Sequence, residues 1–456
     1  MDQAGTPRGG ERGPSSRRAF LARAGRLGAS SALAGVSLPA VHAGEDTTIR
    51  LALIGCGGRG TGAAADAFQA RGGPVKLYAM ADLFAERLAS SAKTLERSHS
   101  AFLDVPPERR FVGYDAYKKA IDCLRPGDVA MLCGYAAWRP VQLEYAVERG
   151  VNVFMEKSFA TDPPGIRRIV RAGEAAERKN LKIAAGLMCR HSAARQELIQ
   201  KIRGGELGEI LLVRSYRMEP VGPLGPKPAG TDELSWQVRN FFRFFWVSGG
   251  LWAEMDIHQI DEISWVKDSW PVSAHGVSGR AADSADTSQN LDSYAVEWTF
   301  ADGTKGTHVV RYLPNCHNQF DTYIHGTRRA AQFSGNIHAS TVHTYRGQRI
   351  SPEDIDWRAA KESCTLWQAE WNVLLEAIRN DRPHNEAKRA AYANAATIMG
   401  RAAAHMGRVV TWDEVMASTF EWFPGVDRID ERSEPPLRPD ERGRYPAPVP
   451  GKWNEL

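Results

Sequence analysis

Three stretches of this 456-residue chain hold side chains that can do chemistry, at spacings that chemistry uses. The first is Gly55-Cys56-Gly57-Gly58-Arg59-Gly60, set between an apolar run over 47–54 and a helical pattern over 61–71. Glycines so spaced permit a tight turn and let the backbone approach a pyrophosphate, which the free N–H groups of the following helix receive. Asp82 follows Gly60 by 22 positions, just past the next apolar run, 75–81. A carboxylate there accepts hydrogen bonds from ribose hydroxyls and repels a 2′-phosphate, which favours NAD over NADP. The second stretch is Glu156-Lys157, at the end of the run 151–155. A Lys at such a strand end can pair with a substrate hydroxyl and hold charge beside a nicotinamide; read by itself it is more often a surface Lys. The third is Gly249–Asp261, the densest polar cluster. On a helix, Glu254, His258 and Asp261 fall on one face. A His beside carboxylates can serve as a general base, or be a buried His satisfied by an acid. Trp236, Trp246 and Trp252 stand close by, either as stacking faces for a pyranose or as core. Glu254 and His258 could share a metal, but no third ligand is evident, so no metal site is expected.

These residues need elements to position them. Strands are expected at 47–54, 75–81, 128–133, 151–155 and 181–186, alternating with helices at 61–71, 84–98, 140–149 and 163–178. That alternation predicts a doubly wound parallel sheet. After Gly208 the texture changes to short strands at 210–217, 274–279, 294–300, 307–312, 321–325 and 330–333, with a hairpin turn at Ala301-Asp302-Gly303-Thr304. With few long helices between them, they predict a large, mostly antiparallel open sheet. Strong helices follow at 366–380 and 386–406, and the Pro-rich tail from 435 to 456 is expected to wrap the surface.

Composition excludes several classes. Hydrophobic residues are 43% and charged residues 25%, ordinary for a globular protein and wrong for a disordered chain or a multi-span membrane protein. The formal charge is +4, and all of it sits in residues 1–43, where six Arg face Asp2 and Glu11. The remainder carries 52 basic and 52 acidic side chains, so no nucleic-acid-binding face is expected. Ser16-Arg17-Arg18-Ala19-Phe20-Leu21 is a twin-arginine pattern, and Val41-His42-Ala43 offers a cleavage site, so the chain is expected to be exported to the periplasm. The weakly apolar stretch between them is too short to span a membrane. The six Cys form no CxxC pair.

The glycine turn, Asp82, Glu156-Lys157 and the 249–261 segment, in this order and spacing, resemble the glucose–fructose oxidoreductase / inositol dehydrogenase / MocA family, in its exported twin-arginine branch. The resemblance runs over about residues 47–425, to Thr411-Trp412-Asp413-Glu414. It implies a leader (1–43), an NAD-binding Rossmann domain (44–162), a substrate and oligomerisation domain with the open sheet (163–425) and a tail (426–456). It implies a homodimer or homotetramer, and NAD contacts from Gly55, Gly57, Gly58, Arg59, Gly60, Asp82, Glu156 and Lys157. Lys157, Glu254 and His258 become the catalytic set, with Arg190, Asp261 and Trp252 near a carbohydrate substrate. Three positions depart from the pattern: Ser158 replaces the Pro of Glu-Lys-Pro, Gly134-Tyr135 replaces a Thr-Pro turn, and Glu254 replaces an Asp. The expected activity is hydride transfer between bound NAD and a secondary hydroxyl of a sugar, cyclitol or glycoside. An exported enzyme has no free NAD pool, so NAD is expected to stay bound. That condition admits redox-neutral glycoside cleavage through a keto-sugar as an alternative, and a non-catalytic binding protein is the reading from another class.

Overall fold

The computed structural model describes residues 47–335 and 341–456; the leader read over 1–43 lies outside them. Six strands, β1 (Ile49–Ile54), β2 (Val75–Asp82), β3 (Arg110–Val112), β4 (Val129–Leu132), β5 (Asn152–Met155) and β6 (Ile183–Ala185), form a sheet in the order β3-β2-β1-β4-β5-β6. Every pairing is parallel. The order reverses between β1 and β4, which opens a crevice at their carboxyl ends. β4 and β5 are buried at every position, because helices cover both faces and leave no solvent side to alternate with. Leu51, Leu53, Met131 and Phe154 pack under the helices Gly58–Gln69 and Leu366–Arg379. Ala52, Ile54, Leu132 and Met155 pack against the helices Arg139–Glu148 and Pro163–Arg178. The last of these starts on a working cap: Asp162 Oδ1 accepts the Gly165 amide at 3.0 Å, and Pro163 takes the first helical position. The parallel sheet reaches beyond the boundary read at residue 162, since β6 and the helix Leu366–Arg379 both belong to it.

The second sheet has nine strands: β7 (Ile210–Met218), β8 (Ser273–Gly279), β9 (Ser293–Thr299), β10 (Lys305–Arg311), β11 (Gln319–Gly326), β12 (Ala330–Ser334), β13 (His343–Tyr345), β14 (Ile355–Arg358) and β15 (Val410–Thr411). Their order is β14-β13-β12-β11-β7-β10-β9-β8-β15. Only β7 and β10 pair in parallel; the other neighbours are antiparallel. The period-2 pattern turns Val213, Ser215, Trp298, His308, Val310 and Ile324 inward. The helices Ile257–Lys267 and Ala387–Met406 cover that face. The latter is Ala-rich and buried around its circumference, as a helix wedged between layers must be. At Gly400 an added Cβ would stand 2.3 Å from the Trp298 ring, so the close helix-to-sheet approach there needs glycine.

The tail corrects an expectation. It has no regular structure, but its end enters the core instead of wrapping the surface. Glu455 is fully buried, with Oε1 2.8 Å from Arg401 Nε and Oε2 3.0 Å from His405 Nδ1. Trp453 Nε1 donates to the same carboxylate at 2.9 Å.

Candidate active site

The helix Gly58–Gln69 begins inside the glycine turn, three residues earlier than its apolar pattern suggests. Gly57 caps it without a side chain, so its first-turn amides keep their donors for another partner. The turn is tight: at Gly55 (φ +96°) an added Cβ would meet the Gly134 amide at 2.4 Å, and at Gly60 it would meet the Gly55 carbonyl at 2.0 Å. At Gly57 and Gly58 it would meet no protein atom within 4 Å. Two glycines thus serve the fold and two leave open space in front of the helix end. Asp82 Oδ2 accepts the Cys56 amide at 2.6 Å and Oδ1 accepts the Phe84 amide at 2.8 Å. Each oxygen retains a lone pair, and burial raises its pKa against the pull of those amides. Beside it lies a recess walled by Leu83, Tyr114, Tyr135 and Trp138. Uncapped amides, an open cradle, a carboxylate and an aromatic recess in sequence fit a dinucleotide lying across the carboxyl ends of β1, β2 and β4.

Glu156 and Lys157 extend from β5 into the same crevice. Glu156 Oε1 lies 3.0 Å from Arg59 Nε, tying the glycine turn to the strand end that carries Lys157. Glu156 itself is 4% exposed, so it anchors Arg59 within the protein. Lys157 Nζ donates to Glu254 Oε2 at 2.6 Å, with side-chain exposures of 18% and 6%. The Glu254 side chain thus joins the end of β5 to the turn that leads into the helix Ile257–Lys267. Trp252–Asp256 is a π-helical turn, continued by the α-helix Ile257–Lys267, so the 249–261 segment is not one uniform α-helix. Wide turns of this kind recur at functional sites. His258 stands on the first turn of the α-helix and is buried.

Other candidates are placed differently. Arg190 grips Asp261 with a two-pronged contact, Nε–Oδ2 2.8 Å and Nη2–Oδ1 2.7 Å, so each satisfies the other. Trp252 is a correction: it is 1% exposed, its Nε1 donates to the Thr397 carbonyl at 2.9 Å, and its ring stacks on Trp298. It is core, because its neighbours come from β9 and the helix Ala387–Met406. Trp246 is core as well, donating to Gln237 Oε1 at 2.7 Å. Among the described residues no group of three His, Cys, Asp or Glu could hold a metal ion, and no helix is long and apolar enough to cross a membrane.

The structure also adds residues that spacing did not reveal. Ser158 Oγ donates to the Ala253 carbonyl at 2.7 Å, so the residue in place of Pro ties the Lys157 loop to the turn bearing Glu254. The Lys157–Ser158 peptide is cis. Asn394 Oδ1 accepts the Phe159 and Ala160 amides at 2.7 and 3.1 Å. Arg401, held by Glu455, donates to the Gly249 carbonyl at 3.2 Å and the Thr161 carbonyl at 3.3 Å. One guanidinium thus spans both loops of the site.

A parallel Rossmann-type sheet whose crevice meets a turn carried under a large, mostly antiparallel sheet defines a two-sheet α/β architecture. Within it, residues 196–332 match the family model of the GFO/IDH/MocA C-terminal domain. The chain is 24% identical over 234 residues to an inositol 2-dehydrogenase of Cereibacter sphaeroides, covering 51% of this chain and 58% of the relative. It is 26% identical over 172 residues to inositol 2-dehydrogenase 3 of Saccharopolyspora erythraea, covering 37% and 44%. The match thus spans less than two thirds of these curated relatives. Solved structures share the fold at low identity. One is the scyllo-inositol dehydrogenase from Lactobacillus casei with bound NAD(H) and scyllo-inositol (TM-score 0.59, 21% identity, 80% of this chain and 99% of that one). Another is the aldose-aldose oxidoreductase from Caulobacter crescentus complexed with glycerol (TM-score 0.62, 17% identity, 80% and 99%).

Proposed function

We propose that this chain is an NAD-dependent oxidoreductase acting on a secondary hydroxyl of a sugar, cyclitol or glycoside. The observation that carries the proposal is the 2.6 Å Lys157–Glu254 pair, which sets a cation from the dinucleotide crevice against the polar turn of the second sheet. The inositol dehydrogenases among the relatives, and the neighbour with bound NAD(H) and scyllo-inositol, support the cofactor and the substrate class. Gly55, Gly57, Gly58, Gly60 and Asp82 would hold the dinucleotide, and a bound nicotinamide supplies the acceptor for the carbinol hydride. His258 takes the hydroxyl proton, a role worth roughly 10²–10⁴ in rate. Lys157 holds positive charge against the developing alkoxide, and Glu254 fixes Lys157 in place.

On the same footing stand export by the twin-arginine route, retention of NAD through turnover, and assembly as a homodimer or homotetramer. With NAD retained, the hydride returns either to a second sugar or to the same sugar after loss of its aglycone. Free aglycone without net NADH distinguishes the second course. The test is a panel of polyols and glycosides followed by NADH absorbance and product analysis, on the wild type and on His258→Ala. Turnover that His258→Ala lowers at least a hundredfold supports the proposal; turnover that it leaves unchanged refutes the assigned base.

A further inference from the structure

We infer that the site takes a neutral glycoside rather than a free monosaccharide or cyclitol, with the second sugar residue lying in a groove that runs outward from Met255. The inference rests on the oxidoreductase reading of the same site and narrows its substrate. Met255 follows Glu254 directly, and Leu251 lies one turn before it. Both line a cavity of about 340 Å³ with Phe242, Asn240 and Arg239. Arg239 places that cavity at the junction of the two sheets: its guanidinium lies 3.8 Å from the ring centroid of Phe84, two residues past Asp82, and it bonds Glu86. The inner cavity thus stands beside the turn that carries Glu254, on the side where Arg239 meets the segment after Asp82.

A second cavity, of about 370 Å³, adjoins it, and the two share Val221, Arg243 and Leu251 as a common wall. Complete small-molecule sites ordinarily run to about 300–1,000 Å³. Either compartment alone accommodates a six-membered ring with its hydroxyls, so the pair is a compartment larger than one ring needs. The lining of the outer one states what the excess takes. Leu291, Leu313 and Pro314 offer apolar faces for ring C–H bonds, while Asp283 and Asp286 offer hydroxyl acceptors. Arg243 stands 3.6 Å from Asp286, so the cation of the groove is matched by a carboxylate. Among the lining side chains, Asp283 and Asp292 remain in excess. A phosphate, nucleotide or uronate would face that excess negative charge, whereas a neutral sugar residue would not.

The outer groove has a natural reporter. Cys316 lines it and is exposed, and none of the other five cysteines is. On the full mature chain loaded with NAD, kcat/KM is measured for neutral disaccharides and for their constituent monosaccharides, before and after reaction with a bulky maleimide. Ser284→Trp fills the same compartment genetically, and Cys316→Ser serves as the unreactive control. The expected result is that wild type prefers a disaccharide at least tenfold. Both obstructions then remove that preference, leaving monosaccharide turnover unchanged and Cys316→Ser insensitive to the reagent. Equal use of both sugars by the wild type, or equal loss for both on obstruction, overturns the inference. So does a preference for sugar phosphates or nucleotide sugars. Should no sugar be oxidised, calorimetry with the same disaccharides on the NAD-loaded protein decides separately. Binding that Ser284→Trp abolishes keeps the groove and removes the reaction; no binding removes the groove.

Discussion

Replacing Lys157 with Met separates the structural and chemical parts of the central ion pair. Lys157 and Glu254 are 2.6 Å apart, and the carboxylate is 6% exposed. Removing the cation leaves that carboxylate desolvated and without its ion partner. Breaking a fully buried pair costs roughly 3–5 kcal/mol; because Lys157 keeps 18% of its surface, about 2–3 kcal/mol is the appropriate size. Replacing both partners with apolar residues of similar shape is close to neutral, so Lys157→Met with Glu254→Leu recovers stability to within about 1 kcal/mol of wild type. Turnover behaves otherwise. Loss of a charge-stabilising donor lowers kcat by roughly 10²–10³-fold, and the double variant does not restore it. Denaturant unfolding of wild type, Lys157→Met, Glu254→Leu and the double variant gives the coupling energy, and assays with NAD shown to be bound give the turnover. The reasoning fails if Lys157→Met keeps turnover within a few-fold of wild type, or if the two substitutions add in stability without coupling.

Other expectations follow from single contacts. Gly57→Ala adds a Cβ that meets no protein atom, so unfolding shifts by under about 1 kcal/mol while NAD affinity falls at least tenfold; Gly60→Ala instead destabilises the fold, because its Cβ would stand 2.0 Å from the Gly55 carbonyl. Calorimetry and thermal melts together separate the two. Ser158→Ala removes the 2.7 Å bond to Ala253 and costs about 1 kcal/mol, with a lower kcat and unchanged NAD binding, because Lys157 loses its tether to the Glu254 turn. Glu455 is buried, which opposes its ionisation, but Arg401 and then His405 outweigh burial and hold its pKa at about 2. Its folded pKa is thus below its unfolded value, so its contribution, on the order of 3 kcal/mol, is full above about pH 4.5 and is lost as pH falls toward 2. Glu455→Gln flattens that acid limb in pH-dependent unfolding; an unchanged limb contradicts the assignment.

What was legible in the sequence was local. Gly55–Gly60, Asp82 and Glu156-Lys157 declare themselves because a glycine turn and the strand ends that flank it use short, fixed spacings. The alternation of strand and helix up to Ala185 declared the parallel sheet for the same reason. The rest depends on partners far away in the chain. Ser158 reaches Ala253 across 95 positions, Arg401 reaches Thr161 across 240, and no periodicity marks either. Trp252 had two open readings because its burial depends on Trp298 and Thr397. The two- to four-residue strands β3, β13, β14 and β15 are too short to carry an alternation. Glu455 stands in a Pro-rich tail whose composition suggested surface, and only its ion partners show that it is core.

The most direct test of the account is to express the chain from Gly44, purify it without added cofactor, denature it and identify any released nucleotide by mass. The account predicts NAD(H) at close to one per chain. A protein that releases none, and that also fails to bind added NAD, would contradict it.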